Sequence, residues 1–275
     1  MDISFAKPSP AIASFVSDYF LTRYDFPLIE DVERADVGYL RFMLKGGGIY
    51  KFANGTRDRG DAVHLLGPST VIAHCTVQGP MLLFGAVLLP EFWGGIIDAD
   101  ATEFANRSLD PAPFLSPDLP HLFEQLKQLD TIEEMARLAD AWLLRQVKPV
   151  PSQHLDVIAK IGEWLRCSPI PPPDRLYAET GQSDRQVARI ANRHFGAPPR
   201  MLARKYRALR TASRIVGTRG LIPDELTHEY SDRAHMNREI KFFTGMTPKQ
   251  LQVNANPILL ATLHPDNFRA GEPWK

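Results

Sequence analysis

The 275-residue chain is poor in cysteine, carries no net charge and has no long apolar run, and each shortage removes a class of protein. Cys75 and Cys167 stand far apart, which offers neither a disulfide framework nor a zinc-ligand spacing, so a reducing, cytoplasmic setting is expected. The longest apolar run, Met81 to Pro90, is too short to cross a bilayer. The opening MDISFAKPSP lacks the order of a secretion or transit signal, so no membrane partner is expected. There is no nucleophile beside a base motif, no phosphate-cradling glycine loop and no zinc signature. No catalytic residue, cofactor or metal is therefore expected.

The zero net charge conceals a division. Residues 1–150 carry 13 Lys+Arg against 20 Asp+Glu, a balance of minus seven, whereas residues 174–251 carry 15 against 8, or plus seven. A basic module joined to an acidic one explains this, and so does simple attraction between two oppositely charged domains.

Short β-rich segments occupy Asp36 to Leu89, broken by a glycine run, by the hairpin signal Asn54-Gly55, and by Gly67-Pro68 and Gly79-Pro80. A small sandwich or barrel is predicted there. Before it, Ile12, Phe15, Val16 and Tyr19 share a face at helical spacing, which predicts a short helix over Pro8 to Tyr24. After Pro120 the period changes. HLFEQLKQL, TIEEMARLADAWLLRQV and Ser152 to Cys167 read as amphipathic helices, followed by the stiff connector SPIPPPD. The apolar surface of these helices is enough for a homodimer or for packing on their own barrel.

The basic half opens with SDRQVARIANRHFGAPPR. Ser183 and Gln186 make a capping box, Val187, Ile190, Ala191 and Phe195 form an apolar stripe, and Gly196 is a helix stop. With that stripe packed inward, Arg185, Arg189, Asn192 and Arg193 point away from the core. Upstream, DRLYAETGQ supplies a short helix, with Leu176 and Ala178 able to pack, and a turn at Gly181. The whole is a helix-turn-helix suited to a DNA major groove. From Ser183 to Arg214 there are nine basic residues against one acidic, a polyanion-binding surface. Exposed interleaved aromatics of the kind that bind single strands or RNA are missing.

The stretch SDRQVARIANRHFGAPPRMLARKYRALRTASRI, with GLIPDEL and SDRAHMNREIKFFTGMTPKQL, resembles the DNA-binding domain of AraC/XylS-family transcription regulators over Asp174 to Leu251. RxHFGxxP and FTGMTP are its most specific parts. The resemblance implies two helix-turn-helix motifs joined by a long helix, equated with Pro199 to Val216. It implies DNA contacts from Ser183, Arg185, Gln186, Arg189, Asn192, Arg193 and Arg204, and from Arg233, His235, Asn237 and Arg238 in the second motif. That motif departs from the pattern: five positions separate Leu226 from the expected cap Ser231, against seven from Leu176 to Ser183. A packing subdomain is the competing reading there. Gly245 and Pro248 are expected to end and start flanking helices.

The acidic half resembles, less specifically, cupin-like sensor domains. Phe42, Tyr50, Phe52, Phe84 and Trp93, with Phe92, are candidates for lining an effector pocket, or are simply core. His64 and His74 lack the paired histidines and carboxylate of metal-dependent cupins, so no metal is assigned. The expected fold is α+β: a small N-terminal β-barrel with flanking helices (1–150), an all-α C-terminal domain with two helix-turn-helix motifs (151–255) and a tail (256–275). The expected function is a cytoplasmic, effector-responsive transcription regulator whose partners are double-stranded DNA, a small molecule, a second copy and, for an activator, RNA polymerase. The alternative is a cupin-type enzyme with an accessory basic domain.

Overall fold

A computed structural model of the chain describes residues 2–60, 62–218, 229–253 and 257–264. Its N-terminal half is one antiparallel sheet of eight strands: β1 (Asp2–Ala6), β2 (Val16–Tyr24), β3 (Leu28–Glu33), β4 (Gly38–Phe52), β5 (Arg57–Gly60), β6 (Val63–Leu66), β7 (Ala73–Leu88) and β8 (Ser108–Leu109). The two longest, β4 and β7, pair along nearly their whole length, and β7 takes β3 on its first half and β2 on its second. The order β1-β2-β7-β4-β6-β8 ends on two short strands that do not pair with each other, so the sheet curls but the expected barrel does not close. At the bend, β4 changes register around Lys45 to Gly47. Gly46 has φ +92°, and a Cβ there would lie 2.6 Å from the Gln78 carbonyl oxygen, so only glycine serves.

The helix expected over Pro8 to Tyr24 is corrected to one helical turn followed by a strand. Val16 N–H donates to Ile12 O, and from Val16 the chain is β2. The apolar spacing is real, since Ile12, Val16 and Tyr19 are fully buried together, but VSDYFLTRY is β-branched and aromatic, and strand pairing with β1 and β7 outweighs the helical period. The Asn54-Gly55 hairpin forms as expected between β4 and β5, with Gly55 at φ +94°.

Strand alternation gives the sheet two apolar faces. Tyr19, Leu40, Phe42, Leu65, Phe84, Ala86 and Leu88 face one way. They pack against Phe92, Trp93 and the helical turn Trp93–Ile97, with α1 (Ala101–Phe104), α2 (Leu119–Leu126) and α3 (Ile132–Leu144). Leu119, Leu122 and Leu126 of α2 and Met135, Ala139 and Trp142 of α3 are buried in this layer, so these helices spend their apolar stripes on their own sheet. Phe20, Tyr39, Met43, Tyr50, Cys75, Val77, Met81 and Leu83 form the opposite face.

The C-terminal half is helical. α4 (Ser152–Arg166), α5 (Pro173–Thr180) and α6 (Asp184–Phe195) share a core with the start of α7 (Pro199–Gly217), and Trp164 Nε1 pins the proline connector by donating to Pro171 O. Val157, Ile158, Ile161, Trp164 and Leu165 form the buried stripe of α4, and Leu155 is exposed. Past mid-length, α7 joins α8 (Arg233–Thr244), α9 (Pro248–Val253) and α10 (Pro257–Leu263) in a second core. Residues 257–263, expected as part of a tail, are thus a packed helix: Leu259 and Leu263 sit in that core while Ile258 reaches the N-terminal sheet. No described helix is long and apolar enough to cross a membrane.

Candidate nucleic-acid interface and effector cavity

The first helix-turn-helix is built by local rules. α5 buries Leu176 and ends at Gly181 in the left-handed region (φ +64°), and Ser183 caps α6 by accepting from Gln186 N–H. Ala178, expected to pack, is exposed. The capping box is half of the expected one, since the Gln186 amide oxygen accepts from the Ser183 hydroxyl instead of reaching the Ser183 backbone. Val187, Ile190, Ala191 and Phe195 are buried and Gly196 (φ +73°) stops the helix. This leaves Arg185, Gln186 and Arg189 exposed on the outer face. Among the described residues no carboxylate pairs with Arg185 or Arg189.

The last turn of α6 points elsewhere. Arg193 is half-buried and pairs with Asp98 at 3.1 Å, and Asn192 is half-buried with its Oδ1 lacking a hydrogen-bond partner among the described residues. His194 is buried against the N-terminal half. Its Nδ1 lies 3.1 Å from Pro90 O and must donate, so Nε2 accepts from His154 Nδ1 at 3.0 Å. Burial drives the His194 pKa down to about 4, and the neutral ring that results is the one this chain of hydrogen bonds needs. His154 is also lowered, by burial and then by Arg189 and Arg193.

Further along the same interface Lys205 is fully buried and donates from Nζ to Asp36 O (3.0 Å) and Ser69 O (3.3 Å). Desolvation lowers its pKa to about 8. Ala35 N–H donates to Phe243 O, and Gly245, which ends α8 at φ +81°, packs so closely that a Cβ there would lie 3.0 Å from Val32 Cγ1. Sequence reasoning missed His154, His194, Lys205 and Asp98 as a group. The only signal was a histidine and a lysine set at inward positions of otherwise cationic helices.

In the second motif the structure corrects the cap. Asp232, not Ser231, accepts from His235 N–H and starts α8, so the helix begins one residue later than expected. Leu226 and GLIPDEL lie outside the described residues. Arg233, Asn237 and Arg238 are exposed. His235 instead turns inward to Ser231 Oγ (3.1 Å) and Glu239 (3.4 Å). Glu239 is buried and accepts from Arg204 (2.8 Å) and Arg207 (2.6 Å). Burial pushes its carboxyl pKa up, but the two guanidiniums outweigh this and hold it below the ordinary range. Arg204 is therefore engaged in compensating a buried charge. Pro248 opens α9, as expected.

A cavity of about 100 Å³ lies between the second sheet face and α10. Of the aromatic candidates only Tyr50 lines it. Phe42 and Phe84 belong to the opposite face, because strand alternation sends them there, Trp93 packs onto that face from the helical turn after β7, and Phe52 is core beside the cavity. The cavity's polar wall is Arg41, which makes a bidentate pair with Glu33 (2.7 and 3.1 Å) and donates to Tyr50 OH (2.8 Å), together with Arg34, paired with Asp36 at 2.9 Å. His64 is buried and lies 3.3 Å from Tyr50 OH, while His74 is exposed. Among the described residues no three His, Cys, Asp or Glu side chains converge as a metal site.

No family model matches this chain, and no curated protein does. Solved structures resemble it in outline. Wild-type ToxT of Vibrio cholerae strain SCE256 with a bound unsaturated fatty acid has a TM-score of 0.46 at 10% identity, over 85% of this chain and 94% of that one. ToxT of Vibrio cholerae O395 bound to (E)-4-(8-methylnaphthalen-1-yl)but-3-enoic acid has a TM-score of 0.49 at 8% identity, over 94% and 100%. The AraC-like transcriptional activator CuxR has a TM-score of 0.27 at 13% identity, over 69% and 79%. All three scores lie below 0.5, so these likenesses assign this chain neither a family nor a ligand. Its own residues must do so.

Proposed function

We propose that this chain is a sequence-specific double-stranded DNA-binding transcription regulator of the AraC/XylS kind, with a small-molecule sensor in residues 1–150 and the DNA reader in 151–255. One observation carries the reading: Arg185, Gln186 and Arg189 stand exposed in a row on a capped helix, behind a glycine turn and free of carboxylate partners among the described residues. A cationic row repels itself and is stabilised by an external anion, and a helix presented this way matches a major groove. Arginine at such positions reads guanine by paired hydrogen bonds. Arg233, Asn237 and Arg238 of α8 are a second set of exposed candidates, and Arg200 and Arg214, exposed on α7, add phosphate-binding charge.

Selection of genomic DNA fragments by the purified chain, followed by gel shift of a selected duplex against single-stranded competitor, tests the reading. Preferential retention of a duplex sequence is expected, with affinity falling on the order of a thousandfold from dilute to moderate salt if six or more phosphates are contacted. Equal binding of every sequence at all salt concentrations would refute it.

A further inference from the structure

We propose that the cavity beneath α10 is the binding site for a small uncharged molecule, ring-sized and mostly apolar, bearing a single hydrogen-bond acceptor. The inference rests on the small-molecule half of the function proposed above. Size sets the first limit. An apolar cavity of about 150 Å³ admits benzene, and a drug-sized ligand needs roughly 300 Å³ or more. At about 100 Å³ this cavity is smaller than the first of these, so its occupant is no larger than one small ring.

Charge sets the second. The wall holds two guanidiniums, but each already faces its own carboxylate, Glu33 for Arg41 and Asp36 for Arg34. An entering carboxylate would find no unneutralised cation and would lie beside Glu33, with both anions away from water. An entering ammonium would meet the guanidiniums.

Hydrogen bonding sets the third. Arg41 is buried, its terminal nitrogens are occupied by Glu33 and Tyr50, and its Nε has no hydrogen-bond partner among the described residues. A buried donor left unmade is costly, and one acceptor oxygen on the occupant would satisfy it. Elsewhere the wall is mostly apolar, with Phe20, Met43, Val77, Met81 and Leu83 beside Thr22, Thr262, and a Tyr39 hydroxyl and Cys75 thiol that already donate to Asp36 and Asp31 O.

The lid is the chain's own α10. Ile258, Ala261 and Thr262 close the cavity, and two bonds hold the helix there, from Ile258 N–H to Asp31 and from Arg34 to Thr262 O. The opposite side of the same helix packs with α7 and α8 through Leu259 and Leu263. An occupant would thus press on a helix shared with the core of the second motif.

Titration calorimetry on the full chain tests this with three probes of similar size: cyclohexanone, methylcyclohexane and cyclopentanecarboxylate. Cyclohexanone is expected to bind once per chain, roughly tenfold or more tighter than either of the others. Filling the cavity from the lid with Ala261→Phe, or from the sheet with Val77→Phe, should abolish that binding in whichever variant keeps the wild-type circular dichroism. Absence of saturable cyclohexanone binding, equal or tighter binding of the carboxylate, or binding that survives in a folded filled variant would each overturn the proposal. Duplex binding is measured separately without any probe. Its loss would refute the regulator reading and leave the cavity assignment standing, and the reverse result would do the opposite.

Discussion

Arg193, on the last turn of α6, donates from Nη2 to Asp98 Oδ1 at 3.1 Å and so ties the cationic row to the acidic half of the molecule. Asp98 also lies 3.7 Å from Lys148 Nζ. One end of α6 is thus held by an internal carboxylate, while Arg185 and Arg189, the proposed DNA contacts, are exposed. If Arg193 exchanges Asp98 for a phosphate on binding, removing Asp98 favours the complex. Asp98→Ala should tighten duplex binding severalfold at low salt, about 0.5 to 1 kcal/mol for a partly exposed pair, with a steeper salt dependence. Unchanged affinity and slope in a salt-titrated gel shift would show that Arg193, even when released, does not reach a phosphate.

Arg189 and Arg204 should respond to truncation in opposite ways. Arg189→Ala removes an exposed side chain and is expected to lower sequence-specific affinity by about 1 to 3 kcal/mol with the urea midpoint unchanged. Arg204→Ala leaves the buried Glu239 with Arg207 as its remaining arginine partner, so the urea midpoint should fall. Denaturation and binding curves for both variants separate the roles.

His194 makes the docked state sensitive to acid. In the unfolded chain the imidazole takes a proton near pH 6.5, but in the folded chain only near pH 4, so between those values the unfolded state binds more protons and stability falls as pH falls. A loss of about 3 kcal/mol is expected across this window. His194→Gln should be less stable at pH 7 yet show a flatter profile from pH 6.5 to 4. An unaltered slope in urea titrations would remove His194 as the cause.

Lys205 acts at the other end of the scale. The unfolded lysine holds its proton to about pH 10.5 and the folded one releases it near 8, so this group adds stability as pH rises from about 8 to 10. Lys205→Met should erase that rise. The measurement is the difference between the wild-type and variant urea midpoints over that interval, and parallel curves would contradict the assignment.

Much of the helical half could be read from residue order because its signals are local. The Gly181 turn, the Ser183 cap, the apolar stripe of α6, the Gly196 stop and the span of α7 each depend on contacts within a few residues. The same applies to the Asn54-Gly55 hairpin. The misread helix at Pro8 to Tyr24 had a helical apolar spacing, but its conformation is set by pairing with the adjacent β1 and with β7, which is distant in the chain. The cap at Asp232 was misplaced by one residue because two adjacent polar side chains could each serve, and the choice falls to the one that reaches His235 N–H.

By itself the chain order determined the division into an acidic β-rich half and a basic helical half, and which helix carries an outward cationic row, since period and capping are short-range properties. Only the tertiary structure decided which aromatic face of the sheet borders the cavity, that α10 closes it, and that Arg193, Arg204 and His235 are occupied within the protein. Those outcomes depend on strand register and on partners as distant as Asp98 from Arg193. Burial and pairing across such separations are set by packing, and no local pattern encodes them.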